Sequence, residues 1–248
     1  MLIRVLGSGT GVPSLERNAP AYLLRADGLR LLVDCGSGTL LQLERAGETY
    51  RQIDAVFITH THPDHTADLV PLIHALCHTP GFERRADLLV VGPPDVRTWL
   101  EHCAAGVLRA ARTFDLRLVD MPDRLALGAL RVRACATRHT DTSLAYRFEH
   151  GQRSIAFTGD AELDETLTRL CAGVDLLVAD CSYPDELATS GHMSASDCGH
   201  LARKAGARHL LLSHLYPTAQ PDAIRVTQAG RVFEGAITLA ADLAAFDL

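Results

Sequence analysis

The chain has 248 residues, 47% of them hydrophobic and 22% charged, with a formal net charge of −6. This length and composition are typical of a large globular α/β domain, and we expect residues 1–248 to form a single domain. The acidic total gives no general attraction for nucleic acid, although a local basic cleft would be compatible with it.

The cysteines and the N-terminus favour a reducing compartment. Seven cysteines are scattered without a Cys-x-x-Cys pair, which is typical of reduced thiols in the cytosol. The N-terminal MLIRVLGSG lacks the layout of a secretory signal and predicts a strand, and no apolar run approaches the ~20 residues that span a bilayer. We therefore expect a cytoplasmic protein with no membrane segment.

Short apolar segments recur along the whole chain and predict strands. They lie at 2–7, 21–26, 29–34, 54–59, 87–92, 129–137, 143–150, 154–159, 175–180 and 209–214. Helices are predicted at 38–46, 64–77, 95–111, 162–171 and 194–205. Early hairpins and a later alternation of strand and helix favour an α/β sandwich, with two mixed sheets inside and helices outside.

The stretch VFITHTHPDHTADL, residues 56–69, carries the strongest chemical signal. His60 and His62 stand two apart at the end of a predicted strand, so they point the same way and can bind one ion. Asp64 and His65 then lie on the first turn of the next helix and face a neighbouring point. Imidazole and carboxylate ligands suit zinc, and less often iron or manganese.

Four ligands cannot complete two coordination shells, so further ligands must come from other strand ends. His139, Asp160 and His214 each follow a predicted strand. Each also has an ordinary alternative. A lone histidine at a strand end is usually a surface or capping residue, and an aspartate after Thr-Gly often only forms a turn or caps a helix.

THTHPDH resembles the signature of the metallo-β-lactamase superfamily. Further segments follow in the order found in its ribonuclease Z-like members. They are LGSGTGVPS (6–14), LLVDCGSGT (31–39), RHTDTSLAYRF (138–148), FTGD (157–160), GHMSASDCGHLARKAG (191–206) and LLSHLYP (211–217). The resemblance covers nearly the whole chain. It implies an αββα sandwich with a dinuclear metal site.

The same resemblance implies two divalent ions, zinc or alternatively manganese or iron, and assigns their ligands. The first ion would be held by His60, His62 and His139, the second by Asp64, His65 and His214, with Asp160 bridging both. Asp34 resembles the family's buried aspartate that orients groups near the site. A turn-forming carboxylate before CGSG is the alternative for Asp34, and both can hold.

His192, in GHMSASD, resembles the histidine that assists phosphodiester cleavage in ribonuclease Z-like enzymes. Ser194 or Ser196 would cap the helix that follows, with Asp197 in its first turn. The alternative is a solvent histidine in a glycine-rich loop.

These residues predict a metal-dependent hydrolase of ester bonds, most simply a phosphodiesterase. A hydroxide bridging the metals would be the nucleophile, Asp64 a proton acceptor, and His192 a phosphate ligand or proton donor. Ribonuclease Z carries a tRNA-gripping arm between its third and fourth motifs, whereas residues 140–159 of this chain are nearly used up by two strands. We therefore expect a small or cyclic phosphodiester as substrate.

Two other functions remain open. One is tRNA 3′ processing, although RNA is disfavoured as a partner, and the other is non-catalytic metal binding. Phosphonate-pathway cyclic phosphodiesterases also lack the arm, but the chain has no Cys-x-x-Cys for the additional zinc site expected there. The resemblance further predicts a homodimer.

Overall fold

The computed structural model describes residues 1–108 and 113–248, and within them the chain forms two seven-stranded sheets. The strands, in chain order, are β1 (Leu2–Gly7), β2 (Ala21–Ala26), β3 (Leu29–Val33), β4 (Ala55–Phe57), β5 (Leu88–Gly92), β6 (Leu116–Asp120), β7 (Arg124–Leu127), β8 (Leu130–Ala136), β9 (Leu144–His150), β10 (Arg153–Phe157), β11 (Leu176–Asp180), β12 (His209–Ser213), β13 (Ala236–Leu239) and β14 (Ala245–Asp247).

Both sheets are mixed, as the sequence predicted. The first has the order β14-β1-β2-β3-β4-β5-β6, antiparallel from β14 to β3 and parallel from β3 to β6. The second has the order β13-β12-β11-β10-β9-β8-β7, parallel from β13 to β10 and antiparallel from β10 to β7. Each sheet thus brings several carboxyl ends of parallel strands to one edge.

Helices cover the outer faces of both sheets. They are α1 (Thr39–Arg45), α2 (Pro63–Thr66), α3 (Leu69–His78), α4 (Asp95–Leu108), α5 (Glu165–Leu170), α6 (Ala195–Ala205) and α7 (Ala223–Gly230), with 3-10 turns at Tyr50–Gln52 and Asp185–Leu187. Apolar residues of α1, α3 and α4 pack on the first sheet, and those of α5, α6 and α7 on the second. The predicted αββα sandwich is confirmed. Among the described residues, no helix combines the length and apolarity needed to cross a bilayer.

Aromatic side chains fill the space between the two sheets near the edge where His60 and His214 lie. The Phe57 ring meets the Phe148 ring edge-on, with centroids 5.0 Å apart. Tyr22 donates a hydrogen bond across the interface to Ser213 Oγ (2.7 Å), and Tyr146 donates one to the carbonyl of Ile58 (2.7 Å). Because these tyrosines are buried, their hydroxyls need such partners. The first bond joins β2 to the end of β12 and the second joins β9 to the end of β4, so both connect the two sheets at this edge.

The ten predicted strands are all present, but four others were not predicted. These four, β6, β7, β13 and β14, are the edge strands of the two sheets. An edge strand pairs on one side only, is often short or charged, and remains half-exposed. Its sequence therefore lacks the continuous apolar run of a central strand. Helix α7 was also not predicted.

The prediction of one continuous helix at 64–77 was wrong. The segment 64–77 forms two helices, α2 and α3, because the Asp68 N–H donates to the carbonyl of Cys35 (2.9 Å). A continuous helix would direct that N–H to Asp64. The helix predicted at 162–171 begins later, at Glu165, with Asp164 as its cap. The end of the predicted helix 95–111 lies outside the described residues.

Gly36 is a test of how closely the segments beneath the site approach each other. A Cβ at this position would overlap the backbone oxygen of Asp64 and lie 2.8 Å from that of Pro20. Gly36→Ala should therefore lower the free energy of unfolding by ~1–3 kcal/mol, which urea denaturation would measure.

Gly106→Ala is the matched control, since a Cβ there meets no atom of the described residues within 4 Å on the exposed side of α4. Alanine should stabilise that helix by up to about 1 kcal/mol. Equal unfolding midpoints for the two variants would contradict the close approach at Gly36.

Candidate metal centre and active site

The seven residues predicted to bind metal come together at one edge of the sandwich. One group joins the segment after β4 to those after β8 and β10, and the other joins α2 to the segment after β12. Within each group the candidate ligand atoms lie within 4.8 Å of one another. The groups are His60, His62, His139 and Asp160, and Asp64, His65 and His214; the ligand-type atoms of Asp160, Asp180, His192 and His214 also lie within this distance of one another.

The Asp160 carboxylate lies between the two groups, with one oxygen facing each. Its Oδ2 is 3.7 Å from His60 Nε2 and 3.5 Å from His139 Nε2. Its Oδ1 is 3.3 Å from both His65 Nε2 and His214 Nε2. This division of its oxygens suits a carboxylate that bridges two ions. Gly159, at φ 56°, provides the turn that places Asp160, and a Cβ there would press on Thr59.

The site contains buried polar atoms that have no hydrogen-bond partner in the described part of the chain. They are His65 Nε2, His214 Nε2 and Asp160 Oδ1, which converge on one point. Leaving such an atom unsatisfied costs roughly 1–3 kcal/mol. A divalent ion would satisfy all three atoms, and Asp64 Oδ2 lies 3.5 Å from His214 Nε2 to complete the set. The residues present therefore fit divalent metal ions with nitrogen and oxygen ligands.

The pKa shifts of residues in the two groups also agree with the binding of metal ions. Burial raises the pKa of the Asp160 carboxyl, but His214 and His65 outweigh burial and hold that pKa well below its usual value. Burial lowers the pKa of His214, whereas the nearby carboxylates of Asp160, Asp180 and Asp64 raise it to about 10. This part of the site attracts positive charge. Burial and His65 lower the pKa of His60 to about 2, so its imidazole is in the neutral form that binds metal.

Asp34 orients the second group. Its carboxylate accepts hydrogen bonds from His65 Nδ1 (2.8 Å) and from the Thr59 N–H (2.8 Å) and hydroxyl (3.0 Å). The bond to His65 leaves Nε2 directed at the candidate metal position. Asp34 also has φ 58°, a left-handed conformation that aspartate tolerates and that is common in turns. Both hypotheses for Asp34 agree with the geometry.

His139 is oriented by a backbone carbonyl in a loop that Glu162 holds. His139 Nδ1 donates to the Gly191 carbonyl (2.9 Å). Glu162 Oε1 accepts from the Gly191 N–H (2.8 Å) and from the Ser190 hydroxyl (2.8 Å). This loop leads directly into His192, so Glu162 fixes the approach of both histidines to the site.

His192 lies beside the metal groups and is not a solvent residue. Its Nδ1 donates to Asp180 Oδ2 (2.9 Å), and its ring stacks on that of His214 with centroids 5.6 Å apart. Its side chain is only 13% exposed. Ser194 caps α6 in a reciprocal capping box with Asp197, as predicted, whereas Ser196 donates instead to Asp185. The capped helix start holds His192 in place.

Asp180 is a site residue that the sequence analysis missed. It is buried at the end of β11 and also accepts from the Ser182 hydroxyl (2.7 Å) and the Ala161 N–H (3.2 Å). Its Oδ1 lies 3.5 Å from His214 Nδ1. Because β11 pairs in parallel with both β10 and β12, its last residue has to lie beside Asp160 and His214. Extending the strand-end argument to DLLVAD would have identified it.

Comparison with known proteins places this geometry in a family. Residues 29–215 match the family described as Beta-lactamase superfamily domain. Ribonuclease Z of Streptomyces avermitilis is 32% identical over 286 aligned residues, which cover 96% of this chain and 95% of that protein. The probable metallo-hydrolase YhfI of Bacillus subtilis is 30% identical over 245 residues, covering 97% of each chain.

Solved structures agree with these relatives. The crystal structure of YhfI matches 99% of this chain and 98% of that one with a TM-score of 0.86 at 27% identity. The short form of human tRNase Z has the same fold, with a TM-score of 0.80 at 22% identity over 100% of this chain and 99% of that one. The chain therefore belongs to the beta-lactamase superfamily, in the branch that contains ribonuclease Z and YhfI, and is a metal-dependent hydrolase.

Proposed function

We propose that the chain is a phosphodiesterase that acts on a small or cyclic phosphodiester with two divalent ions, zinc by preference over manganese or iron. The observation that carries the proposal is the Asp180–His192 pair beside the two metal groups. Hydrolysis of a phosphodiester with a poor leaving group needs a proton donor in addition to a nucleophile. A histidine held by a carboxylate outside the metal ligand set fits that role.

The residues of the site would have different roles in the reaction. When bound, two ions would supply a hydroxide nucleophile and neutralise the negative charge of the phosphate. Asp160 would separate the ions at a fixed distance, and Asp64, whose side chain is 15% exposed, would accept a proton at the open side. His192, oriented by Asp180, would donate a proton to the leaving oxygen or bind a phosphate oxygen.

Chain length supports a small substrate over tRNA. The alignment with ribonuclease Z has 286 positions while this chain has 248 residues, so at least 38 positions of the relative have no counterpart here. The alignment with YhfI needs only 245 positions. Between His139 and Asp160 the chain has only the hairpin of β9 and β10 with short turns. That hairpin leaves no segment to form an arm.

Processing of tRNA 3′ ends is the second candidate, favoured by the 32% identity to a ribonuclease Z. Assays on bis-p-nitrophenyl phosphate, a cyclic nucleotide and a precursor tRNA, run side by side, separate the candidates. Cleavage of the small diesters without cleavage of the tRNA supports the proposal, and the reverse result refutes it. No cleavage of any of the three would favour non-catalytic metal binding.

The homodimer and the cytoplasmic location stay predictions.

Asp160→Ala tests the bridging role. Removal of a ligand shared by both ions should lower metal content and reduce hydrolysis by more than about 100-fold, because losing even an outer-shell partner costs 10–100-fold. Elemental analysis and diester assays would measure the two effects, with circular dichroism to verify folding. Asp120→Asn, on the exposed edge strand β6, should retain about two ions and full activity. A folded Asp160→Ala protein with normal metal content would refute the bridge.

His192→Ala should separate proton donation from metal binding. We expect both ions to remain bound, while kcat on an alkyl diester falls by roughly 10²–10⁴-fold, the range for a lost acid–base group. A nitrophenyl diester should be affected much less, because its leaving oxygen needs little protonation.

The control for His192 is His102→Ala, which removes an exposed histidine from α4. Equal losses on both diesters would assign His192 to phosphate binding rather than acid catalysis. Unchanged rates on every diester would exclude it from the reaction.

A further inference from the structure

A cavity adjoins the metal centre on the side of His214. It has a volume of about 290 Å³ and lies between residues 9–17 and residues 215–222. Its wall includes Tyr216, whose ring centroid is 5.7 Å from that of His214 and 6.0 Å from that of His192. The cavity is close to the lower size limit of small-molecule pockets, roughly 300 Å³. A substrate whose phosphate lies at the metal centre could therefore extend into it.

The aromatic wall of this cavity is rigid. Tyr216 stacks on Tyr183, with centroids 4.9 Å apart and planes 15° from parallel. Tyr183 is itself fixed, because its carbonyl accepts the N–H of Ala195 at the start of α6. Tyr216 lines the cavity and Tyr183 does not, so Tyr183 supports one side of Tyr216 from behind. A flat, supported ring suits stacking of a planar group.

The cavity does not suit an anion. Its cationic lining residue is Arg17, and the guanidinium is already occupied: it donates to Ser8 Oγ (2.7 Å) and to the Ala240 carbonyl (2.6 Å), and pairs with Asp222 at 2.8 Å. Glu16 adds a further negative charge to the lining. The phosphate is therefore expected at the metal centre, and an uncharged group in this cavity.

Gln220 supplies an unused polar group to the same cavity. Its Oε1 is buried and accepts no hydrogen bond, and its side-chain nitrogen donates none within the described residues. A buried amide oxygen normally has a hydrogen-bond partner, so the unpaired Oε1 of a residue that lines the cavity points to a missing partner. A glutamine amide offers a donor and an acceptor side by side, which matches the hydrogen-bonding edge of a heterocycle.

We propose that this cavity is the subsite for the heterocycle of a nucleotide-type substrate. The ring stacks on Tyr216, its polar edge pairs with the Gln220 amide, and the phosphodiester lies at the metal centre. The proposal rests on the phosphodiesterase function and narrows it to diesters that carry a single base.

Paired substrates test the subsite. We would measure kcat/KM for adenosine 2′,3′-cyclic phosphate and for a base-less ribose 2,3-cyclic phosphate. Tyr216→Leu should reduce the ratio of the two values by about 5- to 150-fold, the range measured for loss of one aromatic–base stack. Gln220→Leu, which removes the amide but keeps its bulk, should also reduce the ratio. Tyr50→Leu, a tyrosine outside the site, should leave it unchanged.

Calorimetry provides a readout that does not depend on turnover. The wild-type protein should bind AMP about 5- to 150-fold more tightly than ribose 5-phosphate, and both variants should lose much of that difference. Equal binding of the two ligands by the wild-type protein, together with an unchanged substrate ratio in both variants, would overturn the subsite. Preferential AMP binding that the variants lose, without cleavage of either diester or of bis-p-nitrophenyl phosphate, would support the subsite and refute the phosphodiesterase proposal.

Discussion

The carboxylate of Asp160 is 4% exposed and has imidazole rings on both sides, His60 and His139 next to one oxygen and His65 and His214 next to the other. A carboxylate buried to this extent is unfavourable unless positive charge surrounds it. The rest of the site is arranged to meet that requirement. Strand ends from both sheets meet at Asp160, and the nitrogens of two histidines that have no partner among the described residues face the same point. The sandwich thus creates a position that a cation completes.

The supporting residues around this centre hold backbone conformations that would not persist alone. Asp34 and His214 both have left-handed φ angles, 58° and 56°. Each such residue costs about 1–3 kcal/mol, and the surrounding structure has to compensate. Asp34 accepts hydrogen bonds from Thr59 and His65. Asp180 accepts hydrogen bonds from Ser182 and from His192. Hydrogen bonds among neighbouring segments therefore hold the geometry of the site.

Local spacing predicted most of the site. His60, His62, Asp64 and His65 are close in sequence, so strand and helix geometry alone predicts two neighbouring metal positions. His139, Asp160 and His214 required the further assumption that strand ends meet, and the parallel pairing of β10, β11 and β12 provides it. Asp180 lies at the end of β11 and obeys the same rule, but it was not among the predicted ligands.

What the sequence could not reveal depends on contacts between distant segments or on weak local signals. The break between α2 and α3 arises from a hydrogen bond between Asp68 and Cys35, which no helical periodicity encodes. The cavity beside Tyr216 exists because residues 9–17 lie against residues 215–222. The four unpredicted strands are all edge strands, whose stability comes from a single neighbour. In each case the fold, and not the local sequence, determines the structure.

Anomalous diffraction at the zinc edge would show directly whether two ions share Asp160, as we propose. Crystals of the zinc-loaded protein should show two anomalous peaks about 3.5–4 Å apart, the usual spacing in two-metal sites. One peak should lie among His60, His62 and His139 and the other among Asp64, His65 and His214. A single peak at full zinc loading, or two peaks of which only one contacts Asp160, would contradict the sharing of Asp160 by two ions.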